Sequence, residues 1–306
     1  MKTIKLGSSD FEIPVIAIGC MRMSRLDIPQ AEELVREAVD MGAGYFDHAD
    51  IYGGGKCEEI FGSVLRRNPG LREKIILQSK AGIVPGVMYD NSKEYILKAV
   101  DGILQRLQTE YLDVFLLHRP DALADAQDTA EALESLYRSG KVRYFGVSNQ
   151  RVSQMQLLSK YLNHKIMVNQ LQLSLTNSSM IQSGMEANML SDGAVDRDGG
   201  VLDYCRLNDI TIQAWSPFQY GAIAGTFLGN PDFPEVNKIL HILAEKYHTS
   251  NTAIAAAWIL RHPAGIQLIA GSMKVSRLRE ICAAVQIVLT KEEWYRLYLA
   301  AGHILP

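Results

Sequence analysis

The stretch from Val15 to Asp47 reads VIAIGCMRMSRLDIPQAEELVREAVDMGAGYFD and contains a strand, a helix and a second strand. Its first residues, Val15–Gly19, form an apolar run bounded by a turn, which predicts a buried strand. A helix is predicted from about Pro29, a residue that suits a first helical turn, because apolar residues then recur every three or four positions. A glycine-containing turn ends this helix before the short strand Tyr45–Asp47. The stretch therefore predicts one parallel βαβ unit.

The same alternation of strand and helix continues along the chain. Six further apolar runs predict strands at Ile75–Lys80, Asp113–His118, Val142–Val147, Ile166–Gln170, Ile210–Trp215 and Ile266–Ala270. Helical periodicity between strands predicts Ser92–Leu107, Ala124–Tyr137, Ser153–Leu162, Glu235–Lys246 and Val275–Val285. Eight strands in eight units predict an α/β fold of the (β/α)8 type, a TIM barrel. A doubly wound sheet is the alternative, but it needs fewer strands, and the Gly-x-Gly-x-x-Gly turn of a Rossmann fold is missing.

Two elements are predicted outside the barrel units. An N-terminal β-hairpin joins Thr3–Leu6 to Phe11–Ile13, and an extra C-terminal helix covers Lys291–Ala300. No shift in composition and no Pro- or Ser-rich linker divides the chain. We therefore expect residues 1–306 to form a single barrel domain.

Two predicted connections, Leu173–Gly200 and Pro217–Pro234, exceed the usual length of about two to six residues for a βα loop. Both follow predicted strands, so we expect them at the C-terminal face of the barrel, where barrel enzymes have their active sites. Their side chains indicate a partly apolar pocket, although the methionines fit a packing role equally well. The residues in question are Met180, Met185, Met189, Tyr220 and Phe227.

Composition and charge exclude several classes of protein. The chain has 306 residues, 47% hydrophobic and 21% charged, and 31 basic against 34 acidic residues give a formal net charge of -3. These values exclude a disordered chain. They also exclude a protein with the strongly basic surface that binds nucleic acid or an anionic membrane. No apolar run reaches the roughly 20 residues of a membrane span, and no secretory pattern begins the chain. The four cysteines lack paired spacing, so we expect reduced thiols and a cytoplasmic protein of unspecified oligomeric state.

Polar side chains end three successive predicted strands, at Asp47, Lys80 and His118. Tyr52 follows Asp47 by five residues and precedes the flexible run Gly53–Gly55. Individually these residues fit structural roles, such as a helix cap, a buried histidine or a packed tyrosine. Together they suit proton transfer, because an ammonium lowers the pKa of a nearby phenol, a carboxylate orients the ammonium, and a neutral imidazole polarises a carbonyl. The set predicts protonation of an alkoxide as hydride arrives.

A metal site is the competing interpretation of the same segment. Its candidate ligands are Asp47, His48, Asp50 and His118. The chain contains no His-x-His pair, and Lys80 would bring a positive charge towards the ion. We therefore predict no metal, and interpret His48 and Asp50 as helix-start and loop residues, with Asp50 in a position to brace the Tyr52 turn.

The segment Phe46-Asp47-His48-Ala49-Asp50-Ile51-Tyr52-Gly53, with Lys80 and His118 at strand ends, resembles the active-site tetrad of the aldo-keto reductase superfamily. Further motifs extend the resemblance over almost the whole chain: Gly146-Val147-Ser148-Asn149, Asn169-Gln170, Trp215-Ser216-Pro217 and Ala270-Gly271-Ser272. The chain most resembles bacterial oxidoreductases near the potassium-channel β-subunit group. The resemblance implies that Tyr52 is the proton donor, Lys80 tunes it, Asp47 anchors Lys80 and borders the cofactor, and His118 orients the carbonyl.

The resemblance also implies a binding site for a nicotinamide cofactor. Ser148, Asn149 and Gln170 match the residues that hydrogen-bond the carboxamide, and Trp215 stands where the family usually has a tyrosine stacked on the ring. A helix cap and core packing are the alternative roles for these residues. The other cofactor-binding candidates, at strand ends and in the segment that crosses the pyrophosphate, are Gly19, Cys20, Met21, Ser216, Pro217, Phe218, Tyr220 and Gly271.

A basic cluster lies around the start of the last barrel helix, at Lys274, Arg277 and Arg279. A guanidinium binds phosphate with two parallel hydrogen bonds, so the cluster favours the 2′-phosphate of NADP, although charge alone fits a solvated basic face equally well. The resemblance favours the phosphate, because Ser272, Lys274 and Arg277 match the family's 2′-phosphate positions and Glu280 matches the acidic residue near the adenine.

These residues together imply an NADPH-dependent oxidoreductase that reduces an aldehyde or ketone to an alcohol. The partner is then a small carbonyl or alcohol substrate, and the sequence leaves its identity and the direction of the reaction open. An NADP(H)-binding regulatory or sensor protein with little turnover is the alternative, because channel β subunits retain the barrel and the tetrad.

Overall fold

The computed structural model describes residues 1–221 and 225–305; residues 222–224, within the predicted connection Pro217–Pro234, and Pro306 lie outside the described residues. The described residues form twelve strands, β1 Thr3–Lys5, β2 Glu12–Pro14, β3 Ile16–Gly19, β4 Tyr45–Asp47, β5 Ile76–Ala81, β6 Ile83–Val84, β7 Met88–Tyr89, β8 Leu112–Leu117, β9 Val142–Ser148, β10 Ile166–Gln172, β11 Thr211–Trp215 and β12 Gln267–Ala270. They also form eleven α-helices, α1 Ile28–Asp40, α2 Lys56–Arg67, α3 Lys93–Leu107, α4 Ala126–Arg138, α5 Val152–Ser159, α6 Ser179–Met185, α7 Val201–Leu207, α8 Pro234–Lys246, α9 Asn251–Leu260, α10 Val275–Ala283 and α11 Lys291–Ala300.

Eight strands close into a barrel in the order β3, β4, β5, β8, β9, β10, β11 and β12, with β12 pairing back to β3. Every pair in the barrel is parallel. These are the eight predicted strands, so the predicted (β/α)8 barrel is confirmed. All eight carboxyl ends consequently open on one face of the barrel.

The helix boundaries follow the capping residues. The side chains of Ser92 and Asp125 accept hydrogen bonds from the first turns of α3 and α4, so the predicted starts at Ser92 and Ala124 lie one and two residues early. Helix α5 ends at Ser159 rather than Leu162, and α10 ends at Ala283, where a 3-10 turn replaces the last predicted residues. The C-terminal helix has the predicted bounds.

The N-terminal hairpin closes the amino end of the barrel. Strands β1 and β2 pair antiparallel, and Leu6 and Ile13 are fully buried against apolar side chains inside the barrel. The amide of Gly7 donates to Thr211 Oγ1 at 2.7 Å and so joins the hairpin to β11. Gly7 has a φ of +55°, and a Cβ there would lie 2.8 Å from the Met167 carbonyl oxygen, so only glycine fits this contact.

The barrel interior changes from apolar to polar towards the carboxyl ends of the strands. Alternation along each strand points every second side chain inward. On β5 the inward positions are Ile76, then Gln78, then Lys80, and the last two are fully buried. On β11 the buried Gln213 is followed two residues later by Trp215, which is only half-buried. The upper interior is therefore built from amide and charged groups.

Several features differ from the sequence prediction. The connection Leu173–Gly200 is not structureless, since it contains α6 and a 3-10 turn. A small hairpin of β6 and β7 follows β5, and its two-residue strands are too short to produce a periodic signal. Phe227, predicted to line a pocket, is buried in the apolar core, and Met180 takes the packing alternative in the same core. Within the residues described, no helix is long and apolar enough to cross a membrane.

Candidate active site

The four tetrad candidates meet at the carboxyl end of the barrel. Asp47 ends β4, Lys80 lies near the end of β5, and His118 directly follows β8. The Tyr52 ring lies edge-on to the His118 ring with centroids 6.0 Å apart, and the Lys80 Nζ atom is 5.0 Å from the Tyr52 ring centroid. Adjacent strands β4, β5 and β8 thus bring together residues that are separated by up to 71 positions in the sequence.

Lys80 and Asp47 form a buried ion pair. The Lys80 Nζ atom donates to Asp47 Oδ1 at 2.6 Å and to the carbonyl oxygen of His48 at 2.8 Å, and the lysine side chain is fully buried. Burial alone would lower the pKa of Lys80, but the Asp47 carboxylate and the Tyr52 hydroxyl outweigh it and leave the pKa raised. Lys80 is therefore positively charged at neutral pH.

Asp47 is also fixed by two amides. Gln78 Nε2 donates to its Oδ1 at 2.6 Å, and Gln170 Nε2 donates to the same oxygen at 3.2 Å. Both amides also donate to Gln213 Oε1, at 2.9 Å each. The carboxylate therefore holds one position, because groups on the adjacent strand β5 and on β10, across the barrel, both bind it.

Tyr52 and His118 are both neutral. Burial raises the pKa of Tyr52, and the nearby Lys80 charge offsets only part of that rise. The Lys80 charge by itself predicts a lowered pKa for Tyr52, but desolvation of the phenolate dominates in the structure. Burial, together with the positive charges of Lys80 and Arg119, holds the pKa of His118 well below its usual range. The site therefore presents a protonated phenol beside an uncharged imidazole.

Ser148, Asn149 and Trp215 form one hydrogen-bonded group above the tetrad. Asn149 Nδ2 donates to Ser148 Oγ at 2.8 Å, and Trp215 Nε1 donates to Asn149 Oδ1 at 3.2 Å. The Ser148 hydroxyl in turn donates to the backbone carbonyl of Gln170 at 3.1 Å. Both amide hydrogens of Gln170 point inward, so only its Oε1 atom is free to accept from a carboxamide.

Two residues at these strand ends have left-handed backbone conformations. Asn149 has a φ of +54° and Ser216 has a φ of +51°. Asparagine tolerates this region, whereas serine rarely adopts it, so the chain stores some strain where β11 turns towards Pro217. The Ser216 hydroxyl donates to Gln219 Oε1, which fixes the turn.

The remaining cofactor-binding candidates, near the ends of β3 and β11, differ in accessibility to solvent. Gly19 is tightly packed, because a Cβ there would lie 2.9 Å from Ile269 Cγ2. The Cys20 thiol is fully buried and donates to the Ile18 carbonyl at 3.5 Å. Among the others, Met21 and Tyr220 are exposed, Phe218 is half-buried and Pro217 is buried.

The basic cluster is smaller than the sequence suggested. Arg279 donates to Glu37 on α1 at 2.7 Å, and this ion pair turns it away from the other two cations. Lys274 is the exposed residue before α10, and Arg277 forms only a loose pair with Glu280 at 3.5 Å. Ser272 Oγ accepts from the Lys274 amide at 3.2 Å, and Gly271 presents its carbonyl to Arg22 at 3.0 Å.

Sequence reasoning missed four polar residues of this face, namely Arg22, Gln78, Arg119 and Gln213. The two glutamines lie at inward strand positions two residues before Lys80 and Trp215, which is the signal that could have indicated them. Arg119 directly follows His118, and its guanidinium lies 5.9 Å from the centroid of the Trp215 ring.

The candidate metal ligands do not converge. His48 lies edge-on to Phe61 with centroids 4.7 Å apart, and burial lowers its pKa to about 3. Asp47 is already bonded to Lys80. Across residues 1–221 and 225–305, no group of three or more His, Cys, Asp or Glu side chains is arranged to hold a metal ion.

Comparisons with known proteins agree with this fold. Residues 15–299 match the model of the Aldo/keto reductase family. The uncharacterized oxidoreductase YcsN of Bacillus subtilis is 36% identical over 100% of both chains, and the 6-dehydroglucose reductase of Novosphingobium aromaticivorans is 33% identical over 99% of this chain and 96% of its own. A solved aldo/keto reductase from Klebsiella pneumoniae, in complex with NADP and acetate, has a TM-score of 0.78 and 28% identity, covering 100% of this chain and 97% of that one. The chain belongs to the aldo/keto reductase family.

Proposed function

We propose that this chain is an NADP(H)-dependent oxidoreductase that reduces the carbonyl group of a small aldehyde or ketone to an alcohol. It would act in the cytoplasm as a single barrel domain over residues 1–306, without a nucleic-acid or membrane partner. The observation that carries the proposal is the buried Lys80–Asp47 pair beneath a neutral tyrosine and a neutral histidine.

Each member of the tetrad has a chemical role that follows from its environment. The Tyr52 hydroxyl donates its proton to the oxygen of the reduced carbonyl, and the Lys80 ammonium stabilises the phenolate that remains. Asp47 keeps Lys80 charged and in position. His118 is neutral, so its ring can donate a hydrogen bond to the same oxygen without adding charge.

The residues at the mouth fit a nicotinamide cofactor. When bound, NADPH supplies the hydride. The amide and hydroxyl groups of Ser148, Asn149 and Gln170 have the donor and acceptor chemistry for a carboxamide, and Trp215 offers a half-buried aromatic face beside them. Asp47 and Gly19 border the same opening at the ends of β4 and β3.

The start of α10 fits the 2′-phosphate that distinguishes NADP from NAD. Its N-cap residue is Lys274, whose side chain cannot accept from the first-turn amides, so those amides remain available to an anion. Arg277 is exposed one turn further and its pairing with Glu280 is weak. The Klebsiella relative in complex with NADP supports the same choice.

Replacing Tyr52 by Phe tests the proposal. We expect turnover to fall by about 100-fold or more, because general acid catalysis contributes about that much. The affinity for NADPH should change little. The measurements are steady-state NADPH oxidation with a panel of aldehydes and ketones, and NADPH binding by calorimetry.

Tyr137→Phe on the outer face of α4 is the matched control and should retain full turnover. Equal turnover in the Tyr52→Phe protein would contradict the assignment of the proton donor. NADPH binding without turnover of any carbonyl compound by the unmodified protein would instead favour the regulatory or sensor alternative.

A further inference from the structure

Arg119 extends across the mouth of the candidate active site. It follows His118 at the end of β8, yet its guanidinium carbon lies 5.9 Å from the centroid of Trp215 at the end of β11. In the barrel, β8 and β11 are separated by β9 and β10. The side chain therefore extends from the end of β8 towards the end of β11, over the opening of the barrel.

The N–H donors of the Arg119 guanidinium have no hydrogen-bond acceptor in the part of the chain that the structure describes. Its five N–H groups form no hydrogen bond and no ion pair with residues 1–221 or 225–305, and only the Trp215 ring lies near it as a cation–π partner. A half-buried arginine normally satisfies several of these donors with carboxylates or carbonyls. The available donors therefore suit an acceptor supplied by a ligand.

The backbone of Arg119 is held rigidly. Asn91 Nδ2 donates to the Arg119 carbonyl at 3.0 Å, and the Asn91 amide donates to Asp121 Oδ2 at 3.0 Å. Asp121 also accepts from the Leu123 amide at 2.8 Å, and Pro120 restricts the chain between them. The nearest acidic residue in sequence is thus occupied by backbone amides, and the loop presents Arg119 from a fixed base.

Among the described residues, the charges around the mouth leave Arg119 uncompensated. The Lys80 ammonium is neutralised by Asp47, which also accepts from two glutamines. Both charged groups that act most strongly on His118 are cations, Lys80 and Arg119. An anionic group entering the mouth would therefore meet a favourable field and a free planar donor.

We propose that Arg119 is a substrate-binding residue that recognises a carboxylate on the molecule whose carbonyl is reduced. This inference rests on the proposed function. The planar guanidinium matches the two oxygens of a carboxylate, and its closeness to His118 requires that the carboxylate lie only a few atoms from the carbonyl. The substrate class is thus short-chain oxo acids and semialdehydes.

Succinic semialdehyde and butanal test this proposal, because they differ only in a terminal carboxylate or methyl group. The readout is the ratio of their kcat/KM values, from which general damage to the site cancels. In Arg119→Met this ratio should fall about 10- to 100-fold, as expected for the loss of charge-assisted hydrogen bonds. Arg119→Lys keeps the charge without the planar fork and should give an intermediate ratio. Arg138→Met, at an exposed arginine of α4, should leave the ratio unchanged.

Binding of succinate, measured by calorimetry in the presence of NADP+, gives a second readout that needs no turnover. Arg119→Met should weaken it by a similar factor. An unchanged ratio together with unchanged succinate affinity overturns the carboxylate site, and so does a loss confined to NADPH affinity. If the unmodified protein turns over neither these aldehydes nor any member of the aldehyde and ketone panel, yet Arg119→Met still weakens succinate binding, the proposed function fails and the carboxylate site remains.

Discussion

The two ends of the barrel interior differ in chemistry although the same eight strands build both. The end closed by the N-terminal hairpin is filled by apolar side chains, among them Leu6, Ile13, Ala17, Val114 and Val168. The carboxyl end contains an ion pair and a group of buried amides. These residues are Asp47, Lys80, Gln78, Gln170 and Gln213.

The apolar end stabilises the barrel, whereas the polar end positions the charged groups of the candidate active site. Apolar burial at the hairpin end stabilises the fold without any geometric requirement beyond packing. At the carboxyl end each buried polar group requires a partner, and Gln213 alone bonds to Gln78, Gln170, Gln267 and Tyr45. The amide network thus allows an aspartate and a lysine to be buried in fixed positions.

Removing the Lys80 charge at the polar end should have the largest effect on activity and stability. In Lys80→Met we expect kcat to fall by about a thousandfold or more, since the phenolate loses its stabilising charge. The free energy of unfolding should also fall, by roughly 3 kcal/mol, because a buried carboxylate is left without its cation. Steady-state kinetics and urea unfolding measure the two effects. Adding Asp47→Asn should recover stability but not activity; a double variant no more stable than Lys80→Met would contradict this explanation.

Breaking the apolar end should affect stability alone. Leu6 is fully buried beneath the barrel, far along the strands from the tetrad. Leu6→Ala should lower the free energy of unfolding by about 2–5 kcal/mol, the usual cost of a cavity at a fully buried leucine. The folded fraction should keep its kcat. Urea unfolding provides the measurement, and Leu299→Ala, at an exposed leucine of α11, is the control. A large loss of kcat in folded Leu6→Ala would show that the two ends are not separable.

A smaller effect should come from Asp50, a carboxyl at the polar end that lacks full compensation. Its Oδ1 atom is buried without a hydrogen bond to the described residues. Burial, followed by the negative charge of Glu58, raises the pKa of Asp50 to about 7, although Arg106 and Lys80 oppose the shift. Because the folded pKa exceeds the unfolded one, the stability from protonated Asp50 is present below about pH 4 and lost as the pH rises through 7.

Asp50→Asn removes this titration. At pH 8 the variant should be more stable than the unmodified protein by about 1–3 kcal/mol, and the difference should shrink towards pH 4. Urea unfolding between pH 4 and pH 8 provides the measurement. The exposed substitution Asp232→Asn should leave the profile unchanged. An identical pH profile in Asp50→Asn would mean that Asp50 is already ionised without cost.

The sequence predicts the strands of the barrel well because each strand depends on a local pattern of residues. Apolar runs identify all eight barrel strands, since parallel strands are buried on both faces. The segment from Phe46 to Gly53 predicts two tetrad candidates, Asp47 and Tyr52, and the ends of predicted strands predict the other two, Lys80 and His118. Both signals lie within a few residues of the feature they predict.

Features that depend on distant partners were not predictable in this way. Arg279 belongs to a basic cluster in the sequence, but its partner Glu37 is 242 residues away. Gln213 resembles a solvent-facing residue of an alternating strand, and only barrel closure shows that it is internal. Arg119 precedes a proline in an ordinary turn, and its relation to Trp215 requires the positions of two strands that are not adjacent.

The three tryptophans lie in two different environments, so their fluorescence reports on two different parts of the molecule. Trp258 and Trp294 stack in the core with ring centroids 4.8 Å apart, and each indole N–H donates to the other's backbone carbonyl. Trp215 alone is half-buried at the mouth, bonded to Asn149. A fluorescence change in the folded protein on adding a ligand therefore reports the mouth, whereas separation of the stacked pair reports unfolding.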